Sequence, residues 1–191
     1  MKAHKKPFVT TFELTLIAVF GAANCIIAPL SVPIGPVPVS LSVFMALLCG
    51  ALLPPKIAVF SQLLRIILGA VGIPVFAGFQ GGAQYLAGPV AGYTIATPFM
   101  ALAVAFAANY CAHKAPSYSI KLVVMVSTCV VALLFDYALG TVWYCVVTHI
   151  EFLPALLVCV VPFIVVDILK IVAVLFIWIA IAKRLRRQFH Y

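Results

Sequence analysis

Four ionisable side chains stand inside apolar runs of this chain: Arg65, Asp136, Asp167 and Lys170. An ionised Arg, Lys or Asp at the centre of a membrane helix costs about 2.5–3.5 kcal/mol on insertion scales, so each needs a partner or a wet cavity. Asp167 and Lys170 are i, i+3 neighbours, which places them on one helix face. Such a couple either neutralises itself or anchors a polar ligand. Arg65 and Asp136 stand on different runs, at estimated depths that allow an intramembrane ion pair between them.

A second group of candidates lies in the stretch Leu68 to Tyr93, LGAVGIPVFAGFQGGAQYLAGPVAGY. It holds seven of the eleven glycines, two prolines and no Lys, Arg, Asp or Glu. Gly and Pro interrupt it too often for one continuous helix. Irregular backbone between membrane helices persists only where it is buried in protein or lines a cavity. Phe76, Phe79, Tyr85 and Tyr93 offer flat apolar walls, and Gln80 and Gln84 offer directed hydrogen bonds, the mixture a small-molecule pocket uses. A tight packing loop is the other reading of the same glycines.

These residues need elements to hold them, and the composition says which kind. Of 191 residues, 66% are hydrophobic and 8% charged, and the mean hydropathy is +1.25. Soluble domains run near 45–50% apolar and about 25% charged. The expectation is a single all-α polytopic membrane domain over residues 1–191. Apolar runs predict six transmembrane helices: about Phe12–Pro29, Leu41–Leu53, Lys56–Gly72, Gly88–Cys111, Ile120–Val147 and Pro154–Ala182. The uncharged segment SVPIGPVPVS, Ser31 to Ser40, predicts a proline-rich turn between the first two. The glycine-rich stretch becomes the loop between the third and fourth.

The charge of +8 follows from this topology. Ten of the twelve Lys and Arg residues fall at the N-terminus, the second and fourth links and the C-terminus, and none falls in the opposite links. The positive-inside rule then places both termini in the cytoplasm and the glycine-rich loop outside. Orientation in a cell membrane accounts for the basic residues without nucleic acid. A basic start followed by an apolar run also fits a signal peptide, but the six-helix topology needs the first run, so it is expected to be retained.

Other chemistry finds little support. The six cysteines form no C-x-x-C and no metal spacing with His, and they read as small apolar side chains. No phosphate-binding loop, no G-x-S-x-G and no H-E-x-x-H is present. Neither an enzyme nor a cofactor is expected. On the first helix, Ala18 and Ala22 make a small-x-x-x-small pair, which permits close helix contact, either within the protein or with a partner.

The glycine-rich stretch, GTVW at Gly140 to Trp143, PFIVVDILK at Pro162 to Lys170 and the turn VPIGPVPVSLSVF together resemble the BioY family, over nearly the whole chain. BioY proteins are biotin-specific substrate-binding (S) components of energy-coupling-factor (ECF) transporters. The resemblance implies a six-helix fold, high-affinity biotin binding near the outer face, and docking of the Ala18–Ala22 face on a transmembrane coupling subunit, which links to ATPase subunits. It also implies that Asp167 and Lys170 line the biotin site. Phe76, Phe79 and Tyr85 would cover the rings and Gln80 or Gln84 would serve the ureido group. Asp167 would accept the ureido N–H groups, and Lys170 would meet an acceptor oxygen or the carboxylate. This sequence departs from the family pattern where GPVAGY replaces the common GPTGGY, and where Arg65 and Asp136 replace expected aromatic or aliphatic residues. Arg65 therefore has two further readings, contact with the biotin carboxylate or exposure to water at the cavity floor. A stand-alone vitamin facilitator or channel and an intramembrane lipid-modifying enzyme are the alternatives.

Overall fold

The structure, a computed structural model, describes residues 10–33, 37–114 and 117–186, with side chains described to residue 181. Of the basic residues that set the expected orientation, Lys2, Lys5, Lys6 and Arg187 lie outside the described residues, as do the middle of the proline-rich turn and the side chains of Lys183, Arg184 and Arg186.

Helix α1 spans Thr11–Ile27 and opens with a capping box: Thr10 Oγ1 accepts from the Glu13 N–H, and the Glu13 carboxylate accepts from the Thr10 N–H. The proline-rich turn carries a two-residue antiparallel ladder, β1 (Ser31–Val32) on β2 (Val39–Ser40). Helix α2 covers Ser42–Leu52 and α3 covers Pro55–Ala70, with Pro55 in the first turn, where its missing N–H costs nothing. The glycine-rich stretch contributes one short helix, α4 (Ala83–Ala87), and is otherwise irregular. The long helices α5 (Ala91–His113) and α6 (Tyr118–Thr148) follow.

The expected continuous last helix does not form. It is divided into α7 (Phe152–Cys159), a 3-10 turn at Val161–Phe163 and α8 (Ile164–Arg186). Pro162 is the physical reason: it lacks the N–H that would bond back along the helix, and its ring collides with the preceding turn. Among the described residues, three stretches are long and apolar enough to cross a membrane: α5, α6 and the α7–α8 run over Phe152–Ile181. Helices α1 and α2 are apolar but shorter.

Helix α5 is the centre of the bundle and packs on α6, α2 and α3; α1 lies on α3, and α2 also packs on α8. One apolar cluster, including Leu47, Met100, Met125, Cys129 and Val174, joins α2, α5, α6 and α8. A second, including Ile17, Met45, Leu53, Ile57 and Ala105, joins α1, α2, α3 and α5. The α5–α6 contact sets the geometry near the site. A Cβ on Gly140 would run into the Tyr93 ring, and one on Gly92 would run into Trp143. These two glycines let the helices approach until Trp143 Nε1 donates to the Gly88 carbonyl at 2.9 Å and Tyr93 Oη lies 3.3 Å from Thr141 Oγ1. The G-T-V-W segment thus holds the end of the glycine-rich stretch in place.

Candidate functional site

Asp167 and Lys170 open α8 on one face, as their spacing requires, and form an ion pair of 2.7 Å. Both are buried. Each has a second partner from a distant part of the chain. Tyr137 of α6 donates its hydroxyl to Asp167 Oδ2 at 2.5 Å, and Lys170 Nζ donates to the Ser40 carbonyl at 2.7 Å. A buried ion pair depends on further hydrogen bonds to its remaining lone pairs and protons, and these two bonds give each partner one more while leaving a Lys170 N–H and Asp167 lone pairs for a ligand. The second of them ties the proline-rich turn to α8.

The pair lines a cavity of about 50 Å³, measured as the space open to the centres of water-sized molecules. One ordered water needs about 10–15 Å³ on the same measure. Val37 and Ser40 come to it from the turn, Ser42 from the start of α2, Tyr93 and Thr94 from α5, Asp136 and Tyr137 from α6, and Phe163 from the 3-10 turn; Arg65 and Tyr85 also line it. The arrangement offers apolar and aromatic walls with a few convergent charged and hydroxyl groups, the make-up of a small-molecule site.

The expected site residues divide into two sets. Tyr85, Tyr93, Asp167 and Lys170 line the cavity, as do Arg65 and Asp136. Phe76 is fully buried behind Tyr85, its ring stacked on the Tyr85 ring with centroids 4.4 Å apart, so it backs the wall. Phe79, Gln80 and Gln84 do not line it and are exposed. The local backbone explains why. Phe76 and Gln80 close a tight turn through a 2.9 Å N–H to carbonyl bond, and Gly78 and Phe79 inside it both have positive φ, at 72° and 58°. The tip therefore points outward, and Phe79 is 61% exposed. Gly82, at φ 97°, turns the chain again and donates its N–H to the Gly69 carbonyl at 2.7 Å, leaving Gln84 Nε2 on the Gly81 carbonyl at 3.1 Å.

The ion pair that helix depth allows between Arg65 and Asp136 is not made. Arg65, 1% exposed, donates Nη2 to Thr97 Oγ1 at 3.1 Å and sits over the Phe76 ring at 6.0 Å. Its titratable surroundings are Tyr85, Cys25 and Cys49, whereas those of Asp136 are Asp167 and Lys170. The two residues occupy separate charge neighbourhoods of one cavity, because α3 reaches it from the side of the glycine-rich stretch and α6 from the side of α8. Asp136 Oδ1 and Arg65 Nε are buried without a hydrogen-bond partner.

Residues the sequence reading missed include Tyr137, Ser40 and Thr97. Tyr137 had one signal, its place beside an intramembrane Asp. Ser40 acts through its carbonyl, which no side-chain pattern reveals. Thr97 precedes Pro98, whose missing N–H leaves the Thr94 carbonyl without its helical partner. The Thr97 hydroxyl donates to that carbonyl at 2.8 Å, and its oxygen then accepts from Arg65.

Ala18 and Ala22 are both exposed on α1, while Gly21, between them in sequence, faces α3 against Leu64. Among the described residues no group of three or more His, Cys, Asp or Glu side chains is placed to hold a metal ion.

Comparison with known proteins gives a consistent result. The chain is 40% identical to a probable biotin transporter BioY of Pyrococcus horikoshii over 83% of this chain and 88% of that protein. It is 34% identical to the biotin transporter BioY of Thermotoga maritima, over 90% of this chain and 96% of that one. Its fold is similar to the crystal structure of the S-component for biotin from an ECF-type ABC transporter, with a TM-score of 0.79 and 27% identity, covering 92% of this chain and 95% of that one. The BioY family pattern runs through residues 1–187, from before the first helix to beyond the charged pair of the last, and the chain belongs to the BioY family.

Proposed function

We propose that this protein is the membrane-embedded biotin-binding component of an ATP-driven ECF-type transporter. The observation that carries the reading is the cavity built on the Asp167–Lys170 pair, in a chain whose relatives are named biotin transporters and whose structural neighbour is an S-component for biotin. Biotin has a fused apolar ring system with a thioether, a polar ureido group and one carboxylate. Tyr85 and Tyr93 supply ring surface, and Asp167 supplies acceptor oxygens for the ureido N–H groups. BioY proteins are transporter components, not enzymes, and the role of this chain is capture.

The finer topology belongs to the same proposal. The chain crosses the cell membrane six times, with the glycine-rich loop outside and both termini in the cytoplasm, as the placement of Lys and Arg suggests. The exposed Ala18–Ala22 face of α1 meets a transmembrane coupling subunit and, through it, ATPase subunits. The test is calorimetry on purified protein with biotin and other vitamins, without nucleotide, followed by uptake in vesicles with and without added coupling and ATPase subunits. Biotin binding by the isolated chain, with uptake that needs the added subunits and ATP, is the expected result. Absence of biotin binding sinks the proposal, and uptake by the chain alone identifies a facilitator instead.

A further inference from the structure

Two cations line the cavity, Lys170 and Arg65, and they are not equivalent. Lys170 is neutralised by Asp167 at 2.7 Å and donates a second bond to the Ser40 carbonyl. Among the described residues, Arg65 has no carboxylate within ion-pair distance. Its titratable surroundings are a tyrosine and two cysteines. One bond to a neutral hydroxyl, Thr97, and the face of the Phe76 ring hold the guanidinium in place. Its Nε is buried without a partner. A guanidinium offers five N–H donors in a planar fork matched to a carboxylate, and it keeps its charge even when buried. A buried, uncompensated cation is costly, and a ligand that brings the missing negative charge removes that cost.

We propose that Arg65 is the carboxylate subsite of this cavity: it takes the carboxylate of the bound ligand, while the Asp167–Lys170 end takes the ligand's neutral hydrogen-bonding group. The inference rests on the reading of the cavity as a biotin site and assigns the two ends of that ligand. The chain is built to preset this residue. Pro98 frees the Thr94 carbonyl, Thr97 turns its hydroxyl to it, and the same hydroxyl oxygen then accepts from Arg65 Nη2. The Phe76–Tyr85 stack closes the other side. An orientation fixed before binding lowers the entropy lost on capture.

The experiment is calorimetry of the purified full-length protein with biotin and with its uncharged carboxamide, on the wild type, Arg65→Gln and Arg65→Lys. The wild type is expected to prefer biotin over the carboxamide by about tenfold or more, as a charge-assisted pair requires. Arg65→Gln should lose biotin affinity by a similar factor and bind the carboxamide as before, which also reports that the variant is folded. Arg65→Lys should keep part of the preference. Equal wild-type affinity for the two ligands overturns the subsite, as does an Arg65→Gln variant that weakens both alike; biotin binding then stands and Arg65 is a structural cation. A wild type that binds neither ligand removes the biotin reading itself. Should Arg65→Gln fail to fold, Arg65→Lys decides: its preference for biotin over the carboxamide falls part of the way if Arg65 holds the carboxylate, and an undiminished preference overturns the subsite.

Discussion

Lys170 and Asp167 each serve two partners, so a change at either reaches beyond the pair. Lys170→Ala strands the Asp167 carboxylate in a site where Tyr137 is its remaining donor. Breaking a buried pair from one side costs about 3–5 kcal/mol, so a large fall in thermal stability in detergent is expected, together with strong weakening of biotin binding. Unchanged affinity in a folded Lys170→Ala protein would remove this residue from the site. Tyr137→Phe is the gentler probe: it keeps the ring and deletes one donor to Asp167, a loss of about 1–3 kcal/mol. If the variant melts like the wild type, the Tyr137–Asp167 bond contributes nothing measurable.

At the scale of elements, the site depends on how closely α5 and α6 approach. Gly140 leaves room for the Tyr93 ring, which lines the cavity. Gly140→Val adds a branched side chain where even a Cβ has no space. Overpacking of this kind costs about 1–3 kcal/mol. Because the displaced group is Tyr93 itself, biotin binding is expected to weaken by more than the stability loss alone would produce. Calorimetry at a temperature where the variant remains folded checks this, and full affinity there would show that Tyr93 does not shape the site. The division of α7 from α8 matters in the same way. The 3-10 turn around Pro162 brings Phe163 to the cavity and starts α8 so that Asp167 lies in its first turn, near the positive end of the helix dipole, where a carboxylate is favoured.

Over the whole molecule, the outer surface of the bundle is apolar, with Val123 and Leu134 on α6 and Val165 and Phe176 on α8 all exposed, the surface a bilayer covers. On α1, small side chains interrupt this surface at Ala18 and Ala22. Replacing either with Trp fills the gap without touching the cavity. Thermal stability and biotin affinity should stay within error of the wild type, while uptake driven by the coupling and ATPase subunits falls to background. Intact uptake in both variants would show that the docking surface lies elsewhere.

Local chemistry was legible in the sequence. The membrane class follows from composition, the helix ends from Pro and Gly, and the shared face of Asp167 and Lys170 from i, i+3 spacing, because each depends on a few neighbouring residues. The first five apolar runs form helices within a few residues of the expected ends, and the last is divided at Pro162 instead of running through. Partners from elsewhere in the chain were not legible. Lys170 meets Ser40 across 130 positions, Arg65 meets Thr97 across 32, and Tyr137 meets Asp167 across 30. Arg65 and Asp136 looked like an ion pair because depth along a helix can be counted from sequence. The side from which each helix reaches the cavity is set by packing around α5. The glycine-rich stretch shows the same limit: its residue types pointed to a pocket wall, but the turns at Gly78, Phe79 and Gly82 decided that Tyr85 faces in while Phe79, Gln80 and Gln84 face out.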